Sequence, residues 1–312
     1  MRPSRRAART LRALAMAWAL SACSEGVDPS HREAMGEAER LAVYVVNEPL
    51  RAMAERIGGE RVRVFFPAPR GEDPAWWIPD AESVGAYQAA DLIVLNGAGY
   101  ARWVQLASLP QARLLDVSGA FQDRLIPLAD GVTHGHGPEG DHSHRGMAST
   151  TWLDPELAIE QAHAIAEALA RRSPDDAGAF QANLEALESD LRQLDARLAA
   201  VAEGIAGAPL LFSHPVYQYL IRRYDLNARS LHWEPDQMPD LEAWQQLREL
   251  LAEHPARWML WEAPPLPESA SKLADLGVES LVFDPTGQTP DEGDFLQAMR
   301  NNVATLEAAF VP

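Results

Sequence analysis

The chain has 312 residues, with 27 lysines and arginines against 45 aspartates and glutamates and a formal net charge of −18 at pH 7. That balance argues against nucleic acid as a partner and mildly concentrates cations at the surface. Cys23 is the single cysteine, which excludes an intramolecular disulfide, so stability has to come from a packed core.

At the start of the chain, Arg2, Arg5, Arg6, Arg9 and Arg12 precede the apolar run Leu14 to Leu20, in the pattern of a secretory signal. The run is too short to cross a bilayer. It ends in Leu20-Ser21-Ala22-Cys23, which resembles a lipobox, where small residues suit the signal peptidase and the freed thiol accepts a diacylglyceryl group. The expected mature protein starts at a lipidated Cys23, is exported to the periplasm, and is held at a membrane by acyl chains rather than a transmembrane helix. Removing the five arginines leaves 22 basic residues against 45 acidic ones, a charge of about −23.

Residues 24–39 are polar and read as a tether. Strand-like apolar runs follow at Leu41 to Val46, Val62 to Pro67, Leu92 to Leu95 and Leu114 to Val117. Helical patterns lie between them, one from Pro49 to Ile57 stopped by Gly58-Gly59, another capped by Asp80 and running to Ala90. Strands alternating with helices predict a parallel sheet. The same grammar returns at Leu210 to Ser213, Ala228 to Leu231, Trp258 to Trp261 and Leu281 to Phe283, with helices at Pro215 to Tyr224 and Leu241 to Glu253. The halves are alike in pattern without a close sequence repeat.

Between them, Ser173-Pro174-Asp175-Asp176 reads as a helix start with proline in the first turn. Phe180, Leu184, Leu187, Leu191, Leu194, Leu198 and Val201 then recur at steps of four and three up to Gly204. Thirty helical residues make a rod of roughly 45 Å, long enough to brace both halves and limit hinge closure. The expected fold is α/β: two lobes, each a four-stranded parallel sheet flanked by helices, joined by one long helix. Its expected segments are a signal peptide over 1–22, a lipidated tether over 23–39, a first lobe over 40–172, the helix over 173–204 and a second lobe over 205–312.

The segment Val132 to Arg145 gathers His134, His136, His142 and His144 with Glu139 and Asp141 in a glycine-rich loop, a flexible, low-specificity site for zinc or similar divalent ions. No nucleophile elbow, P-loop or His-Glu-x-x-His motif is present, and the glycines around Gly97 and Gly99 lack the third of a dinucleotide fingerprint, so an enzyme is not expected. Glu234 and Asp236 read as surface acids.

Several segments, in order, resemble a known family: Val45 to Leu50, Gly71-Glu72-Asp73-Pro74, Ala89 to Tyr100, Trp152-Leu153-Asp154-Pro155, Ser213 to Tyr219, Trp261-Glu262 and Phe283-Asp284-Pro285. They are similar to the ZnuA-like, or cluster A-I, substrate-binding receptors of zinc and manganese ABC importers. The resemblance implies a monomer with an ion in the cleft between its lobes, delivered to a permease and its ATPase subunit. It also implies four ligand positions. Two match, as His214 and Asp284, while the other two carry Ala75 and Thr150 where imidazoles are usual. The implied ion is Zn2+, with Mn2+ open. His142 or His144 folding into the cleft would complete the set, and Glu262 and His232 at strand ends are further candidates. Trp76, Trp77, Trp152, Trp233 and Trp261 are expected in the core by default, but several of them lining the cleft would instead favour a metal chelate or organic ligand.

Overall fold

A computed structural model describes residues 40–128, 133–135, 141–143 and 146–311. The signal, the tether, Cys23, His136, Glu139 and His144 lie outside the described residues. Among the described residues no helix is long and apolar enough to cross a membrane.

The first lobe opens with β1 (Leu41–Val45), α1 (Glu48–Gly58) and β2 (Val62–Phe65). Asn47 caps α1 by accepting the Leu50 amide, Pro49 sits in the first turn, and Gly59 ends the helix at φ 55°, a left-handed conformation that glycine adopts without a Cβ clash. Next come α2 (Ala81–Ala89), capped by Asp80, then β3 (Leu92–Leu95) and β4 (Leu114–Asp116). The four strands are parallel in the order β2-β1-β3-β4. Val43, Val45, Leu92, Ile93 and Val94 are buried, as expected of central strands covered on both faces.

Where the sequence predicts a histidine-rich loop, the backbone forms an antiparallel pair, β5 (Thr133–Gly135) and β6 (Asp141–Ser143), with His134 opposite His142.

Two helices follow, α3 (Pro155–Arg172) and α4 (Ala177–Ile205). The 29-residue α4 is the predicted rod, but it starts later than Ser173 implied: Ser173 closes α3, and Pro174–Asp176 form a 3-10 turn. The hydroxyl of Ser173 donates to the Asp176 carboxylate at 2.7 Å rather than capping a helical amide. All seven residues of the heptad stripe are buried, together with Ile205.

The second lobe contains β7 (Leu210–Phe212), α5 (Gln218–Arg223), β8 (Ala228–Ser230), α6 (Leu241–Glu253), β9 (Trp258–Trp261), α7 (Pro267–Asp275), β10 (Glu279–Val282) and α8 (Phe295–Phe310). Its parallel sheet has the order β10-β9-β7-β8, the same winding as the first when read from the other edge. The helix predicted over Pro215 to Tyr224 is shorter, because the Val216 amide turns back to the His214 carbonyl. Along α4 pack α1 from the first lobe, α3, and α8 from the second. Asp190 on α4 meets Arg56 of α1 at 2.7 Å and Arg300 of α8 at 3.3 Å, and Arg197 is bidentate to Glu307 of α8 at 2.8 and 2.6 Å. One continuous core joins the lobes, and a second, holding Trp233, Trp244 and Trp261, fills the far face of the second sheet.

Candidate metal centre

In a doubly wound sheet the crevice opens at the carboxyl ends of the strands where the winding reverses. Here the reversal falls between β1 and β3 in one lobe and between β7 and β9 in the other. Segments following strands of both sheets line a shared cleft of about 1280 Å3. His214 and Asp284 both line it, as do Ala75 and Thr150.

Four second-lobe residues bring the chemistry, each just past a strand. His214 follows β7, Glu234 follows β8, Glu262 follows β9 and Asp284 follows β10. The imidazole Nδ1 of His214 lies 3.6 Å from Glu234 Oε1 and 3.6 Å from Glu262 Oε1, and one donor atom from each of the three lies within 4.8 Å of the others. A tetrahedron with 2.0–2.1 Å metal bonds has edges of about 3.3–3.4 Å, so the two measured edges need only a small contraction to close on an ion. His214 is buried, and both glutamates are mostly so.

Burial first, and then the charges of Glu234, Asp73 and Asp284, push the Glu262 carboxyl up to about 8. Several carboxylates crowding one imidazole in a poorly hydrated cleft are an unstable charge distribution that a divalent cation relieves. Burial also raises the Asp284 carboxyl, opposed by the Thr286 amide, which donates to Oδ1 at 2.6 Å. Asn302 of α8 clamps the Asp284 backbone, accepting its N–H at 3.0 Å and donating to its carbonyl at 2.7 Å. Tyr217 donates to the Phe283 carbonyl at 2.6 Å, and burial keeps its phenol neutral.

The sequence reading of Glu234 as a surface acid is wrong. Trp233 beside it is anchored in the second core, 4.7 Å from Trp244 and 6.2 Å from Trp261, and its amide donates to the Ser213 carbonyl. With residue 233 facing the core, residue 234 is turned into the cleft. A tryptophan one residue past a predicted strand was the available signal. Asp73 is a further first-lobe carboxylate on the cleft wall, with Oδ1 accepting the Ala75 amide at 2.9 Å. His232 is exposed, its ring 6.0 Å from that of His214, and it is not one of the three grouped residues.

The tryptophans divide. Trp233 and Trp261 are core, and Trp77 packs edge-on to Trp103 at 6.3 Å. Trp76 lines the cleft, while Trp152 reaches its wall but is 1% exposed and belongs to the first core, so the reading in which several tryptophans line the cleft is not met. Trp152 donates its indole N–H to the Pro285 carbonyl at 2.7 Å, and the Arg102 guanidinium lies 3.5 Å from the Trp76 ring centre. The side chains of His134 and His142 and the whole of His136 and His144 lie outside the described residues. The completion of the site by these loop imidazoles therefore stays an expectation.

Two like-wound sheets braced by one helix, with a carboxylate- and imidazole-lined cleft between them, make a two-lobed α/β protein built to hold a ligand between its lobes. The chain belongs to the ZnuA family: the family profile, described as zinc-uptake complex component A, periplasmic, matches residues 43–309. Members of that family are substrate-binding proteins. The manganese-binding lipoprotein MntA of Halalkalibacterium halodurans is 28% identical over 161 residues, 51% of this chain and 49% of that protein. The high-affinity zinc uptake system protein ZnuA of Yersinia pestis is 26% identical over 190 residues, 59% of each chain. The chain thus spans about half to three fifths of the length of these two relatives. The crystal structure of the metal-dependent lipoprotein YcdH from Bacillus subtilis superposes with a TM-score of 0.73 at 20% identity, covering 88% of this chain and 100% of that one, a likeness of fold.

Proposed function

We infer that this chain is the extracytoplasmic receptor of a metal ABC importer, capturing one divalent ion between its lobes for delivery to a permease and its ATPase subunit. The observation that carries the reading is the grouping of His214, Glu234 and Glu262 within 4.8 Å at the mouth of the second sheet. Asp284 and Asp73 line the same cleft, although neither is one of the three grouped donors. Zinc is the ion of choice, since it accepts mixed imidazole and carboxylate ligands in a tetrahedral site. Manganese is the competitor, because the set is richer in oxygen than nitrogen and oxygen donors suit a harder ion. The relatives' names support both ions. Lipidation at Cys23 would keep the receptor at the membrane that holds its permease.

The test is metal analysis and calorimetry on the mature chain purified without an affinity tag. One tightly held divalent ion per chain is expected, lost in His214→Ala. A chain that binds neither zinc nor manganese above background would refute the reading.

A further inference from the structure

His214, Glu234 and Glu262 all stand on the second lobe, but they are not held alike. Glu234 and Glu262 each follow a tryptophan, Trp233 or Trp261, that is fixed in that lobe's own core. His214 is followed instead by Pro215, which has no amide hydrogen to donate. The β7 ladder ends at Ser213, whose amide donates to the Leu260 carbonyl at 2.8 Å, and α5 starts at Gln218 without a side-chain cap. Between them the chain closes a three-residue turn, in which the Val216 amide donates to the His214 carbonyl at 3.0 Å.

Two bonds from outside steady this turn. From its own lobe, the fully buried Tyr217 donates to the Phe283 carbonyl. From the first lobe, Thr150 donates its hydroxyl to the Val216 carbonyl across the cleft wall. The mount of Thr150 is stiff. Thr151 beside it is fully buried and accepts from Gln161 at 3.0 Å, and Trp152 is packed in the first core. Its hydroxyl therefore marks a defined point on the first lobe, two residues along the chain from the site's imidazole.

That point matters because His214 Nδ1 lies 3.6 Å from both glutamates. A rotation of the turn would carry it away from one of them, and ion sites tolerate donor misplacement of only about 0.5 Å or 10–20°. A second set of cross-lobe bonds lies further along, on α5: the Tyr219 hydroxyl donates to the Ala148 carbonyl at 2.9 Å and accepts the Ile126 amide at 3.2 Å. These join the same lobes beyond the turn, and so separate lobe cohesion from aim.

We propose that Thr150 is a positioning residue for the ion site. It holds the Val216 carbonyl so that the His214 imidazole faces Glu234 and Glu262, and it makes the aim of that donor depend on how the first lobe is seated. The proposal rests on the metal-receptor reading above.

The test is calorimetry with zinc sulfate and absorption spectroscopy of the Co2+-loaded mature chain, whose bands report coordination geometry, with thermal melts of each ion-free variant. Thr150→Val keeps the shape and removes the hydroxyl; it should weaken zinc binding about ten-fold and alter the Co2+ bands. Thr150→Ala should do the same, which covers any packing fault of the valine, and Thr150→Ser should restore both readouts. Tyr219→Phe should lower the melting temperature while leaving zinc affinity within about two-fold and the Co2+ bands unchanged. Wild-type affinity and bands in Thr150→Val would overturn the proposal and leave the receptor reading standing. So would an equal loss in Tyr219→Phe, which would assign the effect to lobe cohesion. If the unsubstituted chain binds neither zinc nor Co2+, both readings fail.

Discussion

The two lobes share a strand order but treat its reversal point differently. Two residues past β1 stands Asn47, and one residue past β3 stands Asn96; the counterparts past β7 and β9 are His214 and Glu262. In the first lobe the Asn47 amide donates to Asn96 Oδ1 at 3.2 Å, Asn96 donates to the Ser149 carbonyl at 2.8 Å, and Gln161 donates to Asn96 Oδ1 at 3.4 Å and to the Thr151 hydroxyl at 3.0 Å. Both asparagines are fully buried. That crevice is sealed by neutral amides, which are stable without a ligand. In the second lobe the equivalent pair is an imidazole and a carboxylate 3.6 Å apart, facing the cleft beside a second acid. One scaffold therefore gives a closed joint in one lobe and the candidate ion site in the other, according to the side chains at its reversal point.

The sharpest way to break the contrast is His214→Ala, expected to weaken zinc binding about 100-fold or more in calorimetry, since it removes the group's nitrogen. A fall below about three-fold would mean that the second lobe's reversal point is not the site.

A second probe is pH. With Glu262 pushed up to about 8, the ion-free protein holds this carboxyl protonated at neutrality, and an ion must displace the proton. Zinc affinity should rise by up to about ten-fold per pH unit towards 8 and level off above it. Glu262→Gln should weaken binding and flatten that slope. The same shift acts on folding with the opposite sense: because the folded carboxyl binds its proton more tightly than the unfolded one, ion-free stability should fall as pH rises from about 4.5 to 8. Urea titrations with and without zinc across that window would show it, and a flat ion-free curve would contradict the assignment.

Asn47→Ala should do the reverse of His214→Ala. It removes both an amide bond at the sealed crevice and the cap of α1, costing about 1–3 kcal/mol of stability. Zinc affinity should change little. A smaller effect still is expected from deleting residues 134–144: equilibrium affinity should stay within about three-fold if the second-lobe donors hold the ion. A loss beyond ten-fold would restore the loop imidazoles as ligands.

Much of the fold was readable from local pattern. The strand runs, the cap at Asp80 and the four-three stripe of α4 are consequences of local side-chain pattern, which a window of the chain displays. His214 and Asp284 were named by the resemblance to the receptor family, and Glu262 by its place at the end of a predicted strand. What local pattern left out were features that need two distant segments at once. Glu234 looked like any surface acid until the burial of Trp233 among Trp244 and Trp261 turned it towards His214. Likewise the five tryptophans were indistinguishable by spacing, and only packing sent Trp152, Trp233 and Trp261 to the core and left Trp76 on the cleft. Composition and periodicity dictate which residues want to be inside, because transfer from water is a property of each side chain. Which strand ends converge on one cleft is a property of sheet order, set by pairings across tens of residues that no single stretch encodes.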